Sequence, residues 1–452
     1  MREQRRVKVA STDYVIHKAA PLSGRIAIPG DKSISHRALL IAAIAEGATE
    51  ISGFLPGQDC FATLSALQSL NVSIELLTAE RVIVHGGGLH GLRAVLGPIY
   101  LGNSGTSMRL LAGLLAGQPF ISTLTGDASL SNRPMQRIIT PLQQMGATVL
   151  STAHHTAPLV ISGTAQLKAI SYTLPVASAQ IKSCILLAGI YAHGTTELFE
   201  PGVSRDHTER LLQHFNYPIE ILDNHIRLPG QKKLHAKAIT VPGDISSAAF
   251  LLVAALLVKD SMVELLNVGI NPTRLGVIEL LREMGAKIEF FNQRFYGLEP
   301  VADLRIVYSP LHGVDVSSQL APRMIDEFPI LFIAAAAANG VTRIRGVGEL
   351  RVKESDRLQT MADGLKVLGV RFQLYPDGMD IYGLGENNTN NALFMGGQVK
   401  SHGDHRIAMA FCVAGLLAKT PLTIKDCAMI QTSFPNFIDC AKKLGWIINI
   451  EH

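Results

Sequence analysis

Aromatic residues are scarce in this sequence. They make up 6% of its 452 residues, and the basic residues sit singly at turns without aromatic company. A surface that stacks nucleic-acid bases needs both, so that class is disfavoured. Charged residues are few as well, at 17%, and the net charge is only +4. Three of those four charges come from the first eight residues, where Arg2, Arg5, Arg6 and Lys8 outnumber Glu3. No secretory apolar segment follows this basic start, and Tyr14-Val15-Ile16 already reads as a strand. Long hydrophobic runs are missing. Ala248–Val258 is among the longest, and its eleven residues fall short of the ~18 that a membrane span needs. The five cysteines (Cys60, Cys184, Cys412, Cys427 and Cys440) have no C-x-x-C spacing, which points to reduced thiols in a cytoplasmic core. No HExxH or similar ligand spacing suggests a metal, and no GxxxxGK[ST] suggests a P-loop.

What is present is apolar and repetitive. Hydrophobic residues reach 47%, enough for large buried cores. Length alone suggests about three domains. A short phrase recurs: a helix end, a Gly or Asn, then a strand. It occurs as Leu70-Asn71-Val72, Met145-Gly146-Ala147, Phe215-Asn216-Tyr217, Met284-Gly285-Ala286, Leu368-Gly369-Val370 and Leu444-Gly445-Trp446. Gly or Asn suits the left-handed position that ends a helix. Before each phrase lies a small-polar turn and a helix apolar almost all round: 35–46, 106–116, 180–192, 246–259, 329–339 and 406–419. A short strand and a more amphipathic helix follow each. The unit is strand, buried helix, strand, amphipathic helix, strands, repeated six times. A helix apolar on every side is buried on every side. Six units make one long array or two clusters of three, and the limit on core growth near ~250–300 residues favours two.

The turns before the buried helices carry the chemistry. They read Gly30-Asp31-Lys32-Ser33, Gly102-Asn103-Ser104-Gly105, Val176-Ala177-Ser178-Ala179-Gln180, Gly243-Asp244-Ile245-Ser246, Arg323-Met324-Ile325-Asp326 and Gly403-Asp404-His405-Arg406. Asp31 is expected to cap a helix beginning near Lys32. Seven cations (Lys32, Arg37, Arg133, Arg205, Lys353, Arg357 and Arg406) sit at helix starts. The helix dipole disfavours them there by a few tenths to about 1 kcal/mol each. Local ion pairs would explain some of them: Arg205 with Asp206 or Glu209, and Arg357 with Glu354. Convergence on a multiply anionic small molecule explains them as a set. In that field Asp326 and Glu354 stay ionised and can act as bases. The competing structural roles are a helix cap for Asp326 and a first-turn ion pair for Glu354.

The stretches 30–37 (GDKSISHR), 102–106 (GNSGT), 132–134 (NRP), 351–357 (RVKESDR) and 403–406 (GDHR) together resemble the 5-enolpyruvylshikimate-3-phosphate synthase family, in order, from about residue 20 onward. The resemblance implies an α/β (α+β) fold of two globular domains, each of three βαβαββ repeats with buried parallel helices. Residues 1–28 and 243–452 would form one domain and 29–242 the other, with the active site in the cleft between them. It implies transfer of the enolpyruvyl group of phosphoenolpyruvate to the 5-hydroxyl of shikimate 3-phosphate, with release of phosphate and no cofactor or metal. Lys32, Ser33, Arg37, Ser178, Ala179, Gln180, Arg205, Asp326 and Lys353 would bind shikimate 3-phosphate. Lys32, Gly105, Arg133, Gln180, Arg357 and Arg406 would bind phosphoenolpyruvate. Asp326 would deprotonate the attacking hydroxyl, and Glu354 with Lys32 would handle the methylene proton.

Three departures mark this chain. Ala179 stands where many members carry a second Ser, Gln431 where many carry Lys before Thr-Ser-Phe-Pro, and Arg205 where many carry Ser. They resemble the class II, glyphosate-tolerant-leaning branch, whereas Gly105 is the residue expected of inhibitor-sensitive enzymes. A cytoplasmic monomer is expected, with no nucleic-acid or membrane partner. The rival readings are the sister transferase acting on UDP-N-acetylglucosamine and a non-catalytic anion or nucleic-acid binder. The first typically has Lys-Asn at the first turn and a loop Cys, where this chain has Lys32-Ser33 and no such Cys.

Overall fold

The computed structural model describes residues 12–385 and 392–451. The basic run of the first eight residues lies outside them. Among the described residues the strands form six four-stranded sheets on one plan. In each, a leading strand pairs in parallel with the strand that follows a buried helix, and two more strands continue the sheet antiparallel. In the second sheet these are Pro98–Tyr100, Ile121–Thr125, Leu159–Ser162 and Thr148–Leu150. Its inner face is read by alternation: Ser122 and Leu124 are buried, while Ile121 is exposed.

The six buried helices are Lys32–Ala43, Gly105–Ala116, Ala179–Gly189, Ile245–Leu257, Phe328–Ala337 and His405–Gly415. Every residue of Ile245–Leu257 and His405–Gly415 is buried, so these helices have no solvent face. Among the described residues no helix is long and apolar enough to cross a membrane. The amphipathic helices end as their sequences require. Asn71, Gly146, Asn216, Gly285, Gly369 and Gly445 all adopt positive φ, from 57° to 102°. Each is followed by the same closing bond, such as Val72 N–H to Leu67 O and Trp446 N–H to Ala441 O.

Buried apolar side chains gather in two clusters. One joins residues 14–28 to residues 245–448, and the other runs from Ile34 to Val241. Three strands cross the repeat order to complete sheets elsewhere. Ser23–Ala27 leads the sheet of Met262–Gly269, and Ile239–Thr240 leads the sheet of Glu46–Ser52. Asp13–Ile16 fits between Leu422–Lys425 and Ile448–Glu451. The two connecting segments, Ile28-Pro29-Gly30-Asp31 and Val241-Pro242-Gly243-Asp244, run antiparallel to each other. Asp31 N–H donates to Pro242 O at 2.8 Å and Asp244 N–H to Pro29 O at 2.9 Å. A Cβ on Gly30 would meet the Gly53 carbonyl at 1.8 Å, so only glycine fits there. The buried Arg274 holds both caps, at 2.9 Å from Asp31 and 3.2 Å from Asp244.

Helix Gly105–Ala116 packs on Ala179–Gly189 through Gly113, where a Cβ would fall 2.1 Å from the Cys184 carbonyl. This close approach sets the spacing of the two helix starts. Gly113→Ala is expected to lower stability by about 1–3 kcal/mol through overpacking, measured by urea unfolding. An unchanged midpoint would rule out so tight a contact.

Candidate active site

The starts of the buried helices open on one cavity of about 330 Å³, within the usual range for small-molecule sites. Capping explains the placement. Asp31 accepts from Ile34 N–H at 2.9 Å, Ser104 from Ser107 N–H at 3.1 Å, Ser178 from Ile181 N–H at 3.5 Å, and Asp404 from Arg406 N–H at 3.0 Å. Each cap fixes the turn, and the residues beside it then face the cavity. Lys32, Ser33 and Arg37 line it from the first unit, and Gly105 and Arg133 from the second. Ser178, Ala179, Gln180 and Arg205 line it from the third, and Asp326, Lys353, Glu354 and Arg406 from the fifth and sixth. Arg357 is the exception. It is fully buried behind the wall, with Nε on Asp404 at 2.8 Å and Nη2 on Glu354 at 2.6 Å. The cap residue Asp404 draws it back from the cavity.

The cations are paired across long stretches of sequence. Arg205 does not bond Asp206 or Glu209; its Nη2 reaches Asp326 at 2.7 Å. Arg133 Nη1 lies 3.6 Å from Glu354, and Arg137 Nη1 lies 2.9 Å from Glu349. Lys32 Nζ is 3.0 Å from Asp59. Arg37 donates to Thr208 Oγ1 at 2.8 Å and to Ser183 Oγ at 2.7 Å. Gln180 donates to Thr106 Oγ1 at 3.0 Å and accepts from Arg109.

Asp326 does not cap the following helix. That position belongs to Glu327, which forms no capping bond. Its carboxylate instead faces Arg205, Arg357 at 3.5 Å and Arg406 at 3.8 Å. Burial works to raise its pKa, but Arg406, Arg205, Lys353 and Arg357 outweigh burial and hold it well below the usual carboxylate range. Glu354 follows the same balance: burial raises it, and Arg357 and Arg133 draw it well below. Burial opposes the charge on Lys32, yet Asp59 leaves its pKa raised. Lys353 is different. Burial wins there, and its pKa is lowered. Two carboxylates ionised among cations can accept protons, and the cations can hold anionic groups.

Ser246 of the fourth turn lines the cavity as well, and so do Asp59, Arg109, Arg137, Glu349 and Arg274, which were not singled out from sequence. Asp59 had a signal: it is the first acidic residue of the helix after the Lys32 turn. Among the described residues no group of three or more His, Cys, Asp or Glu side chains is placed to hold a metal ion. All five cysteines are free and buried.

A family profile for EPSP synthase (3-phosphoshikimate 1-carboxyvinyltransferase) matches residues 16–440. This chain belongs to the EPSP synthase family. Relatives named 3-phosphoshikimate 1-carboxyvinyltransferase from Methylococcus capsulatus and Legionella pneumophila are each 54% identical, covering 96% of this chain and 99% of their own length. The crystal structure of EPSP synthase from Acinetobacter baumannii superposes with a TM-score of 0.87 at 48% identity, over 98% of this chain and 100% of that one. The enolpyruvyl transferase NikO from Streptomyces tendae shares the fold at 18% identity, with a TM-score of 0.79. The fold is therefore the enolpyruvyl transferase fold, and this member of the EPSP synthase family is a transferase.

Two histidines of the family motifs, His36 and His405, are buried. His36 is fully buried, and burial with Lys32 and Arg37 pulls its pKa down to about 3. It stays neutral in the fold while the unfolded chain protonates near pH 6.5. Stability is present in full above pH 6.5 and is lost as pH falls toward 3. Between pH 7 and pH 5 the expected loss from His36 is about 2 kcal/mol. Urea titrations at both pH values should show the stability of wild type falling by about 2 kcal/mol more than that of His36→Asn between pH 7 and pH 5.

Proposed function

We propose that this chain catalyses transfer of the enolpyruvyl group of phosphoenolpyruvate to the 5-hydroxyl of shikimate 3-phosphate, with release of phosphate, in the route to aromatic amino acids. The observation that carries the reading is the pairing of Asp326 and Glu354 with cations around one cavity. Ser33, Arg37, Ser178, Ala179, Gln180, Arg205, Asp326 and Lys353 hold the acceptor. Lys32, Gly105, Arg133, Arg357 and Arg406 hold the donor, with Gln180 and Lys32 reaching both. Residues 1–28 with 243–452 form one domain and 29–242 the other. The separation of the two apolar clusters supports that division.

The chemistry follows from the charges. The donor carboxylate competes with Glu354 for Arg357, and this brings Arg357 into contact with ligand. Glu354 then loses the cation that keeps it ionised, its pKa rises, and it can carry the proton to the methylene carbon. The cationic carbon so formed is attacked by the acceptor hydroxyl, whose proton passes to Asp326. Asp326 is released for this when the acceptor phosphate takes over Arg205. The tetrahedral adduct then gives a methyl proton back to Glu354 and Lys32 as its C–O bond to phosphate breaks, and the departing phosphate, stabilised by Arg133 and Lys32, takes up the proton released by the acceptor hydroxyl.

Ala179, Arg205 and Gln431 support the class II branch. The site is assembled within one chain, which supports a monomer, and the free cysteines support a reducing cytoplasm.

Phosphate release from phosphoenolpyruvate is expected with shikimate 3-phosphate and not with UDP-N-acetylglucosamine; turnover with the UDP-sugar alone would overturn the reading. Glu354→Gln and Asp326→Asn are each expected to lower kcat by about 10²- to 10⁴-fold while acceptor binding, followed by calorimetry, survives. Near-normal turnover in both variants would remove their proton-transfer roles.

A further inference from the structure

The role of His36 leads to a buried hydrogen-bonded chain. His36 Nδ1 lies 2.7 Å from Thr63 Oγ1, and Thr63 Oγ1 lies 2.6 Å from Ser107 Oγ. Ser107 Oγ in turn donates to Ser104 Oγ at 2.6 Å. None of the four residues is more than 1% exposed. The proton order has one consistent direction. Ser107 spends its hydroxyl hydrogen on Ser104, so Thr63 donates to Ser107. The Thr63 oxygen then accepts from His36, which is the Nδ1–H tautomer. A chain of this kind, shut off from water, is stiff because its members polarise one another.

The chain joins three elements: the Lys32–Ala43 helix, the Gln58–Ser69 helix that carries Thr63, and the Gly105–Ala116 helix with its cap Ser104. Asp59 and Thr63 are four residues apart and share one face of the middle helix. Asp59 grips the tip of Lys32 at 3.0 Å. One helix therefore holds Lys32 by its ammonium and the Gly105 turn by its cap. That turn matters because a Cβ at Gly105 would stand 2.9 Å from Arg133 Nη1. The acceptor side is held otherwise. Arg37 hangs from Thr208 and Ser183, which bond each other at 2.7 Å. Among the described residues the two networks have no hydrogen bond in common.

We propose that Thr63 is a positioning residue for the donor half of the site: anchored on His36, it holds Ser107 and with it the Gly105 turn against the Lys32 helix, whose own place is kept by Arg37 on Thr208 and Ser183. The inference rests on the functional reading above. Donor affinity depends on this placement, and acceptor affinity depends on the Thr208–Ser183 pair instead.

The test is steady-state kinetics of the full chain with both substrates varied. Thr63→Val keeps the side-chain shape and removes the hydroxyl. It is expected to raise KM for phosphoenolpyruvate about tenfold and to leave KM for shikimate 3-phosphate within about twofold. Thr63→Ser should restore wild-type values, and Thr208→Val should show the reverse split. If Thr63→Val does not fold by circular dichroism, Ser107→Ala breaks the same chain and carries the same expectation. Equal rises in both KM values, or no rise in either, overturn the positioning role. Wild-type turnover in the same assay separates the two levels. With normal wild-type turnover, a missing split overturns the role of Thr63 alone. Absent wild-type turnover overturns the functional reading and this role with it.

Discussion

A helix that is apolar on every face can be polar only at its ends. Six such helices, three to a cluster, lie beneath sheets that cover their sides. Their starts are the one place where unpaired N–H groups, capping side chains and cations can meet solvent or a ligand. The cavity is the product of that packing constraint. It also explains why the residues that line the cavity recur along the chain, in the turns before the buried helices and before the helices that follow them.

The converged cations cannot simply face one another. Carboxylates of the second half of the chain neutralise arginines of the first: Arg205 with Asp326, Arg133 with Glu354, and Arg137 with Glu349. The more shielded pairs, Arg205–Asp326 and Arg133–Glu354, lose about 3 kcal/mol when one partner is removed without replacement. An anionic ligand supplies the replacement. The same bonds thus hold the site together and keep both of its central carboxylates, Asp326 and Glu354, ionised.

Much of this was legible in the residues. The six Gly or Asn helix ends were visible because a left-handed backbone leaves few choices. The helix starts were visible because cations there defy the dipole. What escaped was non-local. Strands of two to five residues, such as Ile239–Thr240, carry too little pattern to reveal that they complete a sheet begun near Glu46. Arg205 ignores the carboxylate beside it and pairs with one 121 residues away. Arg357 takes the local partner its spacing suggests, Glu354, but also Asp404, 47 residues on. Asp59 and Arg109 sit inside amphipathic or buried helices, where a charge reads as an ordinary surface or core feature until the fold supplies its partner.

The exchange of leading strands bears on how the chain is made. Ser23–Ala27 leaves the ribosome early but pairs with Met262–Gly269, and Asp13–Ile16 pairs with Ile448–Glu451 at the far end. Everything between Ile34 and Val241 can close its own core in the meantime. The stretch between Ile34 and Val241 thus carries a core of its own, whereas the sheet of Asp13–Ile16 needs a strand more than 400 residues further on. Until that strand is made the first one has an open edge, and its partner does not yet exist.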